Sequence, residues 1–200
     1  MKVLRRLIPL CLVMVLLSGC GGKETAGVKE AMAFRTSLLA AQGYSFSGNI
    51  TADYGDRSCG FSVDCRGDRQ GNLFFTVTAP ETIAGISGQI DGQGGKLTFD
   101  DTALDFGLLA DGQVSPVTCP YFMTEAWRNA YLSSAGQTED GLRVTFDTSF
   151  DAAGMTVDLW LLEGTPVFCE LGYAGRRILS MEILNFRLLP GGVSQDTAGT

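Results

Sequence analysis

The sequence predicts a mainly β domain with two helices: a curled antiparallel sheet of about ten strands, forming an unclosed half-barrel plugged by the helices. Three observations carry this reading. Through most of residues 44–189 apolar residues recur at every second position, the pattern of strands with one buried face. Twenty-six glycines against six prolines supply tight turns, and the connectors are too short for the crossovers that parallel strands need. Two segments break the alternation with helical periodicity, and they are the only material at hand to cover the concave face of so large a sheet.

The chain opens with Lys2, Arg5 and Arg6, and residues 7–17 follow without a charge. Eleven residues reach about half of a ~30 Å hydrocarbon core, too short for a spanning helix and of the size of a signal-peptide apolar core. Leu17-Ser18-Gly19-Cys20 then resembles the bacterial lipobox. That resemblance implies that residues 1–19 are a lipoprotein signal peptide and that Cys20 receives a diacylglyceryl group and becomes the new N-terminus. Two acyl chains, palmitate for example, anchor stably where one holds marginally. Loss of Lys2, Arg5 and Arg6 leaves an acidic body that an anionic membrane repels at short range. Residues 20–27 read as the lipidated cysteine and a flexible tether of small and polar residues.

The body is predicted over residues 28–189. Residues 28–42 read as a helix whose apolar stripe is Val28, Ala31, Met32, Leu38 and Leu39, stopped by Gly43. Arg35 falls inside the stripe, where it either meets a polar head group or runs its stem along the stripe to water. Alternation then begins: Tyr44, Phe46, Ile50, Ala52 and Tyr54; Cys59, Phe61, Val63 and Cys65; Leu73, Phe75, Val77 and Ala79. Shorter strands are predicted at 86–90, 97–99 and 104–108, with residues 91–95 as a turn. A second helix starts from Thr118 as N-cap with Pro120 in its first turn and runs to about Ser134. Its stripe is Cys119, Phe122, Met123, Ala126 and Ala130, with Trp127 at the edge. Strands resume with Leu142, Val144 and Phe146; Met155, Val157, Leu159 and Leu161; Val167, Cys169, Leu171 and Tyr173. In the last strand the apolar set changes phase, from Leu179, Met181 and Ile183 to Leu184, Phe186 and Leu188, which signals a bulge or a strand apolar on both faces. Residues 190–200 read as a disordered tail.

The composition excludes whole classes of chemistry. With no histidine there is no Ser-His-Asp or Cys-His nucleophile and no His-ligated zinc. A formal charge of −7 argues against binding nucleic acid, whose phosphates need a basic surface. Gly85-Ile86-Ser87-Gly88-Gln89 falls one glycine short of a nucleophile elbow, and Gly92-Gln93-Gly94-Gly95-Lys96 precedes a strand where a phosphate loop precedes a helix. Asp100, Asp101 and Asp105 lack calcium-loop spacing and read as a solvated edge. Of six cysteines, Cys11 leaves with the signal and Cys20 is lipidated. Cys59, Cys65, Cys119 and Cys169 remain, all in apolar stripes, where they read as buried thiols. Cys59 and Cys65 are about 20 Å apart along one strand, so any disulfide would cross between elements, for instance Cys65 or Cys169 to Cys119. No catalytic residue, metal or cofactor is expected.

The order of elements over residues 28–189 — lipobox, N-terminal helix, hairpins, internal helix, hairpins — resembles the LolA/LolB-like superfamily of lipoprotein carriers and receptors. It is also similar to the lipid-carrying lipoproteins of mycobacteria and to clostridial germination lipoproteins. The resemblance implies an unclosed barrel with a helical lid over an apolar cavity that accepts acyl chains. Two expectations follow. In the first, an envelope lipoprotein binds a lipid or acylated ligand between Met32, Arg35, Phe46, Phe61, Phe75 and Phe122, with Arg35 at the head group. In the second, an accessory lipoprotein has a core filled by its own side chains and binds another envelope protein through a sheet edge or loops. Both place the protein outside the cytoplasm, held by lipid to the cytoplasmic membrane's outer leaflet or to an outer membrane. A continuous apolar cavity of several hundred Å³ separates the first from the second.

Overall fold

The computed structural model describes residues 22–190, apart from 56, 101, 111–112, 149–153 and 174. The lipobox with Cys20, the tail from residue 191 and Asp101 therefore lie outside the described residues. Helix α1 (Gly22–Ala40) leads into strands β1 (Gly43–Asp53), β2 (Ser58–Asp68), β3 (Leu73–Ala79), β4 (Ser87–Asp91), β5 (Gly94–Phe99) and β6 (Thr102–Phe106). A small hairpin, β7 (Leu109–Ala110) and β8 (Gln113–Val114), and a 3-10 turn (Pro116–Thr118) precede helix α2 (Cys119–Asn129). Strands β9 (Tyr131–Thr138), β10 (Gly141–Asp147), β11 (Met155–Leu162), β12 (Thr165–Tyr173) and β13 (Arg176–Leu189) complete the chain. Eleven strands form one antiparallel sheet in the order β6-β5-β4-β3-β2-β1-β13-β12-β11-β10-β9. Its two ends, β6 and β9, do not pair with each other, so the barrel stays open. No helix among the described residues is long and apolar enough to cross a membrane.

Strand alternation converts into a core by register. Phe61 stands opposite Ile50, Ile50 opposite Met181, Met181 opposite Cys169, Cys169 opposite Leu159, Leu159 opposite Val144 and Val144 opposite Ala135. That row crosses seven strands on one face, and every member except the half-buried Phe61 is buried. The phase change in the last strand is a bulge. Ser45 pairs with Arg187 but Ser47 pairs with Leu184, so Asn185 and Phe186 together oppose Phe46. Asn185 takes φ 55°, a conformation that asparagine tolerates better than most residues, and the bulge turns Phe186 inward while Leu184 and Leu188 stay exposed. A second bulge at Val167 brings Pro166 into the core in its place; Tyr173, at the far end of the strand, is exposed.

The helices depart from the sequence reading in three ways. Helix α1 begins at Gly22, inside the segment read as tether, and its buried stripe is Gly27, Ala31, Phe34 and Leu38. Val28, Met32 and Leu39 are exposed. Gly27 sets this rotation: a Cβ there would lie 3.0 Å from Leu142 Cδ1 and 3.1 Å from the Ala135 carbonyl oxygen, so the bare glycine lets α1 settle on β9 and β10. Helix α2 stops at Asn129, because Ala130 turns extended (ψ 160°) and residues 131–138 pair with β10 instead. Thr118 is not a side-chain cap; its hydroxyl donates to the carbonyls of Leu108 (3.1 Å) and Ser115 (2.9 Å) within the 3-10 turn. The buried face of α2 centres on Met123 and on Trp127, which is fully enclosed, while Phe122 is half-buried.

Candidate functional site

The concave face of the half-barrel is where the sequence reading placed a ligand. In the structure it is filled by rings of the chain itself. Phe34 from α1, Tyr44 and Phe46 from β1, Trp127 from α2 and Phe186 from the β13 bulge meet with centroid separations of 6.2–6.5 Å. These are ordinary aromatic packing distances. Around them lie three buried thiols, Cys65, Cys119 and Cys169, with Cys119 Sγ 3.5 Å from Met123 Sδ. Burial pushes all three thiols far above their ordinary pKa, as expected for inert core cysteines. Cys59, read as a fourth buried thiol, is exposed near the start of β2, beyond the part of the strand that packs on the core. All four are free.

The six expected ligand residues do not share one space. Phe46 and Phe75 are buried in the core, and Phe61 is half-buried beside it. Met32 is 43% exposed on the outer side of α1, and Phe122 lies on the open side of α2. Arg35 is half-buried, and its guanidinium turns onto the end of α2. Its Nε donates to the Trp127 carbonyl (2.7 Å), and its Nη2 donates to those of Ala126 (3.2 Å) and Ala130 (2.8 Å). The guanidinium also sits 5.0 Å from the Phe146 ring centroid. Arg35 thus supplies a donor to the Trp127 and Ala130 carbonyls and a second one to Ala126, whose oxygen also accepts the Ala130 N–H, at the α2 C-terminus where the helix dipole favours a cation, and it locks the two helices together. Arg128, in the last turn of α2, ties that helix to the sheet, donating to the carbonyls of Asp68 (3.2 Å) and Arg69 (2.9 Å) in the β2–β3 turn. Sequence pattern offered no sign of the Arg35 clamp beyond a charge on an apolar stripe.

This clamp has a measurable consequence. Arg35→Met keeps the stem but strips the donors from three carbonyls, with an expected loss of about 2 kcal/mol in urea unfolding. Arg35→Lys should recover less than half of that, since one ammonium cannot match a planar fork addressing three acceptors.

Two open grooves lie where the sheet fails to close. One of about 350 Å³ runs along α2, with apolar walls from Leu108, Tyr121, Phe122, Ala126 and Met155. The other, about 660 Å³, is bounded by Val28, Met32 and Arg35 of α1 and by Ala130, Tyr131 and Leu132. They share Asn129, Ala130 and Thr148 and so flank the end of α2. The best-ordered polar cluster is elsewhere, on β10 and β11: Asp158 takes a charged bond from Arg143 (2.7 Å) and a hydroxyl bond from Thr145 (2.6 Å). Its carboxylate is already partnered, and Arg143 packs against the Trp160 ring. Among the described residues no three of Asp, Glu and Cys gather as a metal site.

No family model matches the chain, and no curated protein matches it. Solved structures do resemble it in architecture. A domain of an outer membrane lipoprotein-sorting protein from Vibrio parahaemolyticus is 10% identical, with TM-score 0.46, covering 86% of this chain and 96% of its own. A LolA superfamily protein from Nitrosomonas europaea is 9% identical, with TM-score 0.42 and the same two coverages of 86% and 96%. The lipoprotein LppX from Mycobacterium tuberculosis is 10% identical, with TM-score 0.42, covering 84% of this chain and 96% of its own. What the chain does has to come from its own residues.

Proposed function

We propose that this chain is an extracytoplasmic lipoprotein, tethered to a membrane through acylated Cys20, whose half-barrel docks another envelope protein without catalysing a reaction. The observation that carries the docking half is the filled concave face. Phe34, Tyr44, Phe46, Trp127 and Phe186 occupy the space in which a carrier would hold acyl chains. The anchoring half rests on the basic start, the short apolar core and Leu17-Ser18-Gly19-Cys20. With α1 already helical at Gly22, the body is spaced from such an anchor by very few residues.

Two measurements test the two halves. Cys20→Ala is expected to leave the membrane fraction or to persist as unprocessed precursor, read by fractionation and intact mass. Normal processed, membrane-bound protein would refute the anchor. Organic extraction of the full chain purified from membranes should yield no lipid beyond the covalent one. A stoichiometric co-purifying lipid would refute the docking reading.

A second reading has one observation of its own. The groove along α2, at about 350 Å³ with mostly apolar walls, falls within the size range of small-ligand sites. Under that reading an acyl ligand lies against Phe122 and Met155 at the surface, and lipid recovered from the parent would be lost on Phe122→Glu.

A further inference from the structure

We propose that β6 is the docking edge, and that it captures an extended segment of the partner protein in which apolar and basic residues alternate. The inference rests on the docking reading above and names the surface and chemistry it uses. Strand β6 is the last strand of the sheet, bonded to β5 alone, so the hydrogen-bonding groups along its outer edge face no strand among the described residues. Edge strands are usually guarded by a lysine, a proline or a bulge, because a bare edge accepts a further strand. Thr102-Ala103-Leu104-Asp105-Phe106 has none of these, and its register with β5 is unbroken from Phe99–Thr102 to Gly95–Phe106.

The two faces of this edge specify what would pair with it. Leu97, Phe99, Leu104 and Phe106 share the face that continues the core through Gly88 and Phe75. Yet Leu104 is 61% and Phe99 51% exposed, and nearby Leu109 is 49% exposed. An added strand would cover Leu104 with its own apolar residues. On the other face Asp105 is exposed and stands opposite Lys96, and by sequence residues 91–112 carry five aspartates against that one lysine, an acidic balance around the edge. The alternate residues of the incoming strand should therefore be lysine or arginine. The same charge disfavours the other occupants: a second copy would set aspartates against aspartates, and an anionic membrane would repel the hairpin.

The opposite edge differs. Strand β9 carries α1 against it and, beyond the exposed Tyr131 at its start, presents Ser133, Ser134, Gly136, Gln137 and Thr138, without an acidic residue.

The test uses the full chain in detergent and a fluorescein-labelled heptapeptide of alternating lysine and valine. Saturable binding is expected by anisotropy, with new amide hydrogen-exchange protection over residues 95–106. Affinity should fall roughly tenfold or more when glutamate replaces lysine in the peptide, when alternate peptide amides are N-methylated, and in Leu104→Lys. Ser134→Lys, on the far edge, should leave it unchanged. Equal binding of the N-methylated peptide, protection over residues 131–138 instead, or self-association of the chain through β6 would each overturn the assignment. Failure here leaves the docking reading standing, because that reading is tested separately, by recovery of a bound lipid.

Discussion

Trp127→Ala should destabilise the fold by about 3–5 kcal/mol, the range for removing a large buried aromatic. For a domain of this size that lowers the thermal midpoint by roughly 10 °C. Trp127 is the residue on which both helices and the sheet converge. Its ring meets Phe34 of α1, Phe46 of β1 and Phe186 of β13, and its carbonyl takes the Arg35 Nε bond. Truncation would open a cavity that Phe34 and Phe46 cannot fill, since each is held by its own element. The indole N–H lies against the Cys169 thiol and has no oxygen or nitrogen partner. Trp127→Phe should therefore cost only the lost volume, about 1–2 kcal/mol, and sit well above the alanine variant. Phe74→Ala, on the outward face of β3, is the control and should shift stability by less than about 0.5 kcal/mol. A melt of Trp127→Ala that matches Phe74→Ala would show that α2 does not plug the half-barrel.

Most of the sheet could be read from period alone, because β3, β10 and β11 bury every second side chain and β1, β2, β12 and β13 do so over the part that faces the core. The bulge at Asn185 was visible too, as a shift of the apolar set from odd to even positions. Strand β9 was not, for a physical reason: Tyr131-Leu132-Ser133-Ser134-Ala135-Gly136-Gln137-Thr138 is an edge that buries one side chain, Ala135, so it carries no alternation. Its small residues extended the helical reading of α2 five residues too far. The α1 stripe failed differently. Of its expected members Ala31 and Leu38 are buried, but Val28, Met32 and Leu39 are exposed and Phe34 is buried instead, a rotation set by the close approach at Gly27, which only the tertiary structure reveals.

The expected site shared that fault. Met32 and Phe122 were placed with Phe46 and Phe75 on the assumption that they sit on the inward stripes. One residue of helix is a 100° rotation, so burying Met123 and Trp127 turns Phe122 toward the groove, and burying Ala31 and Phe34 turns Met32 outward. Arg35 follows from the same rotation. Beside Phe34 it comes level with the end of α2, where three carbonyls accept from it.

The buried thiols make the fold sensitive to alkali, and the effect is of the same size as the loss of Trp127. Cys65, Cys119 and Cys169 are enclosed, and desolvation of the thiolate lifts each well above the ordinary value of 9.0. Tyr44 is raised above its ordinary 10.0, again chiefly by burial. A group whose pKa is higher folded than unfolded keeps its proton in the native state while the unfolded chain loses it. Above pH 9 the unfolded state therefore binds fewer protons, and stability, intact below that point, falls as pH rises. At pH 10 each thiol contributes a loss of about 1.4 kcal/mol relative to pH 7, so the three together remove roughly 4 kcal/mol, and Tyr44 adds to this as pH climbs further. Urea midpoints measured in reductant from pH 7 to 10.5 should be flat to about pH 8 and then fall steeply. Replacing Cys65, Cys119 and Cys169 together by alanine should lower stability at neutral pH, through lost packing, yet flatten the alkaline limb. An alkaline limb as steep in that triple variant as in the parent would mean that the thiols are not sealed in the core, and with them the filled interior on which the docking reading depends.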